Sequence, residues 1–214
     1  MTGKERREQL LGIGRRLFAE RGFEGTSIEE IAAQAGVSKP VVYEHFNNKE
    51  GLYAVVVDRE VERLLAMATA ILSGANTREK FEAAAVALLR YIEDNSDGFR
   101  ILVRDSPSPG AGTFGSLLSD LARQVEYMLG DFFRDRGYDQ KLAPMYAQML
   151  VGMVAVTGQW WLDARKPKVE VVAAHLINLA WNGLSHLDPA PRLSQQSVRR
   201  PAQPPGAATT PARL

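Results

Sequence analysis

Residues Thr26–Lys49 read TSIEEIAAQAGVSKPVVYEHFNNK, and this stretch decides the fold class. It divides into two short helical runs joined by Gly36-Val37-Ser38. Thr26 or Ser27 stands as an N-cap, each with a glutamate three residues on (Glu29, Glu30), the spacing of a capping box. Ile28, Ile31, Ala32 and Ala35 recur at helical spacing and give that first run a buried side. Gly36 follows, where the chain must leave the helix through a left-handed conformation that a side chain resists, so the turn is expected to be tight. Ser38 is expected to cap the second run, Lys39–Phe46, whose Pro40 lies in the first turn, where a missing N–H has no partner to lose. Val42 and Phe46, four apart, face inward. Lys39, Val41, Tyr43 and His45 then face outward, a mixture of charge, methyl groups and hydrogen-bonding groups that suits a major groove. Two helices at this spacing have the shape of a helix-turn-helix DNA reader.

Upstream, Leu10, Ile13, Gly14, Leu17 and Phe18 fall at i, i+3, i+4, i+7 and i+8, so a preceding helix offers an apolar stripe and three helices can close a small core. Residues 1–50 carry eight Lys/Arg and eight Glu, so the reader has no net cationic excess and must place its positive charges locally. Lys4, Arg6, Arg7 and Arg15 are expected on the DNA side.

The block from about Lys4 to Tyr53 resembles the DNA-binding domain of the TetR family of bacterial transcriptional regulators. The matching pieces are FAERGF, GTSIEEIA, AGVS, VYEHF and KEGLY, each at the family's spacing. The resemblance implies that Thr26, Tyr43, His45 and Lys49 hold phosphates and that Lys39, Pro40 and Val41 meet base edges; Ser27 and Ser38, at the two helix starts, complete the DNA-contacting set. Many members have Gly and Thr where this chain has Pro40 and Val41. That exchange removes a hydroxyl contact and leaves apolar contact with a thymine methyl as its substitute.

With 214 residues and 45% apolar content, the chain can bury a second, larger core beyond the reader. The expected division is a reader over residues 1–50, an effector-binding and dimerisation domain over 51–188, and a disordered tail over 189–214. The tail holds six of the eleven prolines, four arginines and no acidic residue, a composition that cannot offset the entropy of ordering. The chain has no cysteine, which excludes disulfides, thiolate metal sites and thiol nucleophiles. The N-terminus, MTGKERREQL, lacks the apolar core of a signal peptide, and the longest apolar run, Met149–Leu162, is too short for a membrane span. A cytoplasmic protein is expected.

Between reader and tail the pattern is helical throughout. The expected helices are Lys49 to about Ser73, Thr77–Asp94, Gly98–Asp105, Thr113 to about Arg136, Ala143–Arg165, and Val169 to about Leu187. With the reader's three this makes an all-α fold of nine helices, the number the resemblance implies. Met145, Met149 and Met153 recur every four residues beside Gly152, Ala155 and Gly158, a pairing of adaptable and small side chains that favours close helix contact. In TetR-like proteins the last two helices form the dimer interface, so a homodimer is expected, reading a palindromic operator whose half-sites lie about 34 Å apart.

By residue type, the inner faces of the third to fifth of these helices offer Phe99, Leu102, Val103, Phe114, Leu117, Leu118, Leu121, Val125, Met128, Met149 and Met153. Such a lining suits a long apolar effector, and a well-packed core would use the same residues. The stretches SKPVVYEHF, DGFRILVRDSP, TGQWWLDARKP and AAHLINLAWNGL resemble those of the actinobacterial fatty-acid-synthase regulators within the TetR family. That resemblance implies a long-chain acyl-CoA effector and control of fatty-acid and lipid synthesis genes, by activation. A buried acyl chain that wedges the effector domain and moves the helix beginning at Lys49 is expected to release the protein from DNA. The alternative is a TetR-type repressor of an exporter gene that senses another apolar small molecule.

Enzyme-like patterns are weak. Gly110–Gly115 fits GxGxxG but follows SPSP instead of a strand, so it reads as a loop leading into a helix. His45, His175 and His186 show no metal-ligand spacing, and His175 is expected as a core histidine in an apolar helix. No serine sits in a nucleophile elbow. Neither catalysis, a metal nor a cofactor is expected.

Overall fold

Thr2 starts the first helix with a full capping box, its hydroxyl accepting from the Glu5 N–H while the Glu5 carboxylate accepts from the Thr2 N–H at 2.6 Å. In the computed structural model, which describes residues 1–72, 77–104 and 114–192, that helix is α1 (Gly3–Arg21). It is followed by α2 (Ile28–Ala35), α3 (Lys39–Phe46), α4 (Lys49–Leu72), α5 (Thr77–Asp94) and α6 (Ser96–Val103). Next come α7 (Phe114–Arg136), a single 3-10 turn (Gln140–Leu142), α8 (Ala143–Ala164) and α9 (Val169–Ser185). Nine α-helices and no strand are present among the described residues. The expected order and number of helices hold, with ends shorter by one or two residues at Leu72, Val103, Ala164 and Ser185. The GAN loop at 74–76, residues 110–113 of the glycine pattern and the tail from residue 193 lie outside the described residues. Gly115 stands in the first turn of α7.

The first core runs through reader and effector region without a break. Leu10, Leu17, Phe18, Ile31, Val42 and Phe46 from α1–α3 join Leu52, Val56, Leu64, Leu89, Phe99 and Trp161 in one continuous apolar cluster. Phe18 and Tyr53 meet edge to face at 5.0 Å between ring centroids, which ties α1 to α4. A second cluster, built from Val125, Met128, Leu129, Phe132, Phe133, Ala147 and Leu150, fills the far end between α7 and α8. Both arise from the same rule, since each helix carries one apolar stripe that only a neighbouring helix can cover.

Expectations about four residues are corrected. Arg15 turns away from the reading face and pairs with Glu60 of α4 at 2.8 Å. Arg6 and Arg7 spend donors on helix ends, Arg6 on the Ala35 carbonyl at 3.2 Å and Arg7 on the His45 carbonyl at 2.5 Å, because the last carbonyls of a helix lack internal partners. His175 is exposed on α9, not buried in a core, for it lies on the solvent side of a helix whose Leu176 and Ile177 are the buried neighbours.

Candidate nucleic-acid interface and apolar cavity

The helix-turn-helix closes as its residues dictate. Ser27 is the N-cap of α2, accepting from the Glu30 N–H at 3.1 Å, while the Glu30 carboxylate pairs with Arg21 instead of completing a box. Gly36 adopts φ 65° and ψ 36°, and its N–H reaches back to the carbonyls of Ala32 and Ala33. Ser38 occupies the N-cap position of α3 but makes no side-chain cap bond, so its hydroxyl is left facing outward at the start of that helix. Val42 and Phe46 are buried, and the Arg7 guanidinium lies 4.4 Å from the Phe46 ring centroid, which clamps α3 onto α1.

The outward side of α3 carries exposed Pro40, Tyr43 and Glu44, with Lys39, Val41 and His45 partly exposed. Lys39 forms an ion pair with Glu29 of α2, and its ammonium sits 5.5 Å from the Tyr43 ring centroid. The Glu29 bond holds the Lys39 ammonium above its ordinary pKa, and the same bond pulls the Glu29 carboxyl below its own. Ser27, Ser38, Lys39, Pro40, Val41, Tyr43 and His45 are thus brought to the surface of the two short helices.

Thr26 and Lys49 are placed differently. Thr26 is only 2% exposed, and its hydroxyl donates to the Gly22 carbonyl at 2.8 Å. Lys49 donates to the carbonyls of Phe23 and Thr26 at 3.0 and 3.2 Å, with its ammonium 4.1 Å from the Phe23 ring centroid. Thr26 thus closes the α1–α2 loop on itself, and Lys49 fastens that loop to the start of α4. Loop carbonyls need donors, and no sequence periodicity indicates which residue supplies them.

A cavity of about 110 Å³ lies between α4, α5, α7, α8 and α9, with Phe99 of α6 also in its wall. Seven of the eleven expected residues line it: Phe99, Phe114, Leu117, Leu118, Leu121, Val125 and Met153. Leu102 is packed in the core instead, Val103 packs against that core, Met128 belongs to the second cluster, and Met149 is 55% exposed. Sequence reasoning missed the α4 wall (Leu64, Met67, Ala68, Ile71) and the α5 wall (Phe81, Ala84, Ala85, Leu88), although the α5 residues share one apolar stripe. Every lining residue is Leu, Ile, Val, Met, Phe or Ala, so nothing in the wall could satisfy a buried polar group.

A third feature is an exposed apolar stripe along α8 and α9. Met145, Met149, Val156 and Trp160 recur at helical spacing on α8, and Val171 and Leu179 on α9, each at least 43% exposed. Among the described residues there is no cluster that could hold a metal ion, and no helix is long and apolar enough to cross a membrane.

Comparison with known proteins fits this geometry. Residues 10–56 match the pattern of the bacterial regulatory proteins of the tetR family, and residues 66–192 match the tetracyclin repressor-like C-terminal domain. The chain belongs to the TetR family. It is similar to the HTH-type transcriptional activator FasR of Mycolicibacterium smegmatis, with 32% identity over 187 residues that span 86% of this chain and 84% of that protein. A TetR-like transcriptional regulator from Rhodococcus sp. RHA1 superposes with a TM-score of 0.69 at 25% identity, over 84% of this chain and 96% of that one. The Bacillus subtilis regulator FadR, whose structure is in complex with stearoyl-CoA, shares the fold at a TM-score of 0.66 and 19% identity, over 82% of this chain and 98% of that one. This TetR-family chain is a DNA-binding transcriptional regulator, and α2 and α3 are its helix-turn-helix.

Proposed function

We propose that this regulator controls fatty-acid and lipid synthesis genes and leaves its operator when a long-chain acyl-CoA enters the cavity between α4 and α9. The observation that carries this reading is the wholly apolar wall, which accepts an alkyl chain and rejects any buried charge. The similarity to FasR, named as a transcriptional activator, supports the same reading. A repressor of an exporter gene that senses another apolar compound remains the second reading, and the same wall would serve it.

On DNA, Ser27, Ser38, Tyr43 and His45 contact phosphates while Lys39, Pro40 and Val41 face the bases. Thr26 and Lys49 act indirectly, by holding the loop that sets the start of α2. The exposed stripe on α8 and α9 pairs with a second copy of the chain, since isolated apolar side chains are ordinary on a surface but an aligned row on two adjacent helices favours a partner. The dimer then meets a palindrome with two readers.

The cavity as it stands, at about 110 Å³, is smaller than a long acyl chain needs. An acyl chain therefore enters only by moving the walls apart, and α4 is both a wall and the helix that follows the reader. A ligand shifts such an equilibrium only by its differential affinity for the two states. Each buried methylene contributes roughly 0.8 kcal/mol, about fourfold in affinity. Calorimetric titration with acyl-CoAs of increasing length is expected to give steeply falling Kd values until the cavity is filled. Equal affinity from short to long chains would reject the acyl reading, and tighter binding of uncharged aromatic compounds would favour the exporter one.

A further inference from the structure

Glu60 of α4 is only 2% exposed, and it is shared between two partners from different parts of the molecule. Arg15 of α1, in the reader, donates from Nε to Glu60 Oε1 at 2.8 Å. Tyr91 of α5 donates its hydroxyl to Glu60 Oε2. Burial, reinforced by that carboxylate, pushes the Tyr91 phenol far above its ordinary pKa, so it stays a donor throughout the working pH range. Gly98 of α6 covers the cluster from the fourth side: a Cβ there would lie 2.6 Å from Glu60 Cδ and 2.7 Å from Arg15 Nη2. Four helices thus converge on one carboxylate.

Each effector-region member of the cluster stands beside a residue of the cavity wall. Leu64 lies one turn after Glu60, Leu88 just under one turn before Tyr91, and Phe99 directly after Gly98. Arg15 Nη2 is meanwhile buried without a hydrogen-bond partner among the described residues. An unmade bond of this kind is costly, and it needs an explanation.

We propose that Arg15, Glu60 and Tyr91 form a two-position switch between the cavity and the reader. In the first position, the one observed, Tyr91 occupies Oε2 and Arg15 holds only Oε1. Widening the cavity moves Tyr91 and the Gly98 backbone away from Glu60. Oε2 is then free, and the spare Nη2 donor takes it, which turns a single bond into the paired fork of an arginine–carboxylate contact. That reorients Arg15 and with it α1, the helix on which α2 and α3 rest. The two positions are discrete, as coupling between distant sites requires. This inference rests on the proposed role of the cavity, but the cluster can be tested without a ligand.

The chain has no cysteine, so two can be introduced for spin labels, at exposed Ala33 on α2 and exposed Glu93 on α5. Labelled chains diluted into excess unlabelled protein report the intrachain distance by pulsed electron resonance. Tyr91→Phe removes the donor that holds the first position, and it should raise the second distance population roughly fivefold or more with no ligand present. Arg15→Lys cannot form the fork and should keep the first distance even with saturating palmitoyl-CoA. Thermal melting by circular dichroism checks that both variants fold. A purely structural cluster would move both variants in the same direction or move neither, and either result overturns the switch. A wild-type distance that ignores palmitoyl-CoA would reject the acyl reading, while Tyr91→Phe alone would still decide the switch.

Discussion

Adding one methyl group at Gly98 is the most direct test of how tightly this fold is held around Glu60. The new carbon would sit 2.6 Å from Glu60 Cδ and 2.7 Å from Arg15 Nη2, both well inside contact distance. Glu60 has little room to move, because it is buried between Arg15 and Tyr91. Breaking a buried ion pair costs about 3–5 kcal/mol. Replacing a helical glycine by alanine recovers about 0.5–1 kcal/mol. Gly98→Ala should therefore destabilise the protein by about 2–4 kcal/mol, and at about 2–4 °C per kcal/mol its melting temperature should fall by roughly 5–15 °C. Gly12 in α1 is the control, since a Cβ there meets nothing within 4 Å and Gly12→Ala should gain about 0.5–1 kcal/mol. Urea titration followed by helical circular dichroism measures both, and a double-mutant cycle with Glu60→Ala assigns the cause. In the Glu60→Ala background the penalty at Gly98 should shrink to within about 1 kcal/mol. If Gly98→Ala is as stable as the parent, or if its full penalty persists without Glu60, the steric reasoning is wrong.

Other expected outcomes follow from the reader, the stripe and the ion pairs. Lys39→Ala should weaken operator binding by about 1–3 kcal/mol and relax the preference at the base it faces. Thr26→Ala should instead lower stability by about 1 kcal/mol, through the lost bond to Gly22, and leave base preference unchanged; gel-shift titrations against operator variants, beside urea melts, separate the two. Val156→Glu with Leu179→Glu places charges on side chains that are 64% and 69% exposed, so the isolated chain should fold normally while the dimer dissociates in sedimentation velocity; an unchanged dimer would move the interface elsewhere. Arg59 donates both guanidinium branches to Glu8 and holds that carboxyl below its ordinary value of 4.5. The stability this pair adds is fully present above that value and is lost as pH falls through the lowered one. Glu8→Gln should therefore weaken the protein at pH 7 and match it at the acid end, as judged by urea midpoints, and a gap that persists in acid would refute the assignment.

The helix-turn-helix was legible because each of its features is local. Gly36 had to take a left-handed turn, Val42 and Phe46 had to share a face, and both follow from spacing alone. The effector region was legible as helices but not as a cavity wall. Met145, Met149 and Met153 recur every four residues, but a helix turns every 3.6, so eight residues rotate the row by about 80°. Met145 and Met149 accordingly face solvent while Met153 turns into the cavity. The α4 and α5 walls were missed because an apolar stripe looks the same whether it fronts a neighbour or an empty space. The cluster at Glu60 left no signal at all, since Arg15 and Tyr91 stand 45 and 31 residues away from it in the chain.

The continuous core from Leu10 to Ile177 has a consequence for engineering. Grafting this head onto another sensor, with a cut at residue 50, would sever Arg15 from Glu60, Glu8 from Arg59, and the Arg104 guanidinium from the Phe18 carbonyl. A working chimera must carry the matching faces of α4 and α6 along with the head. Heads and sensors of this design can diversify side by side, but they are not freely interchangeable parts.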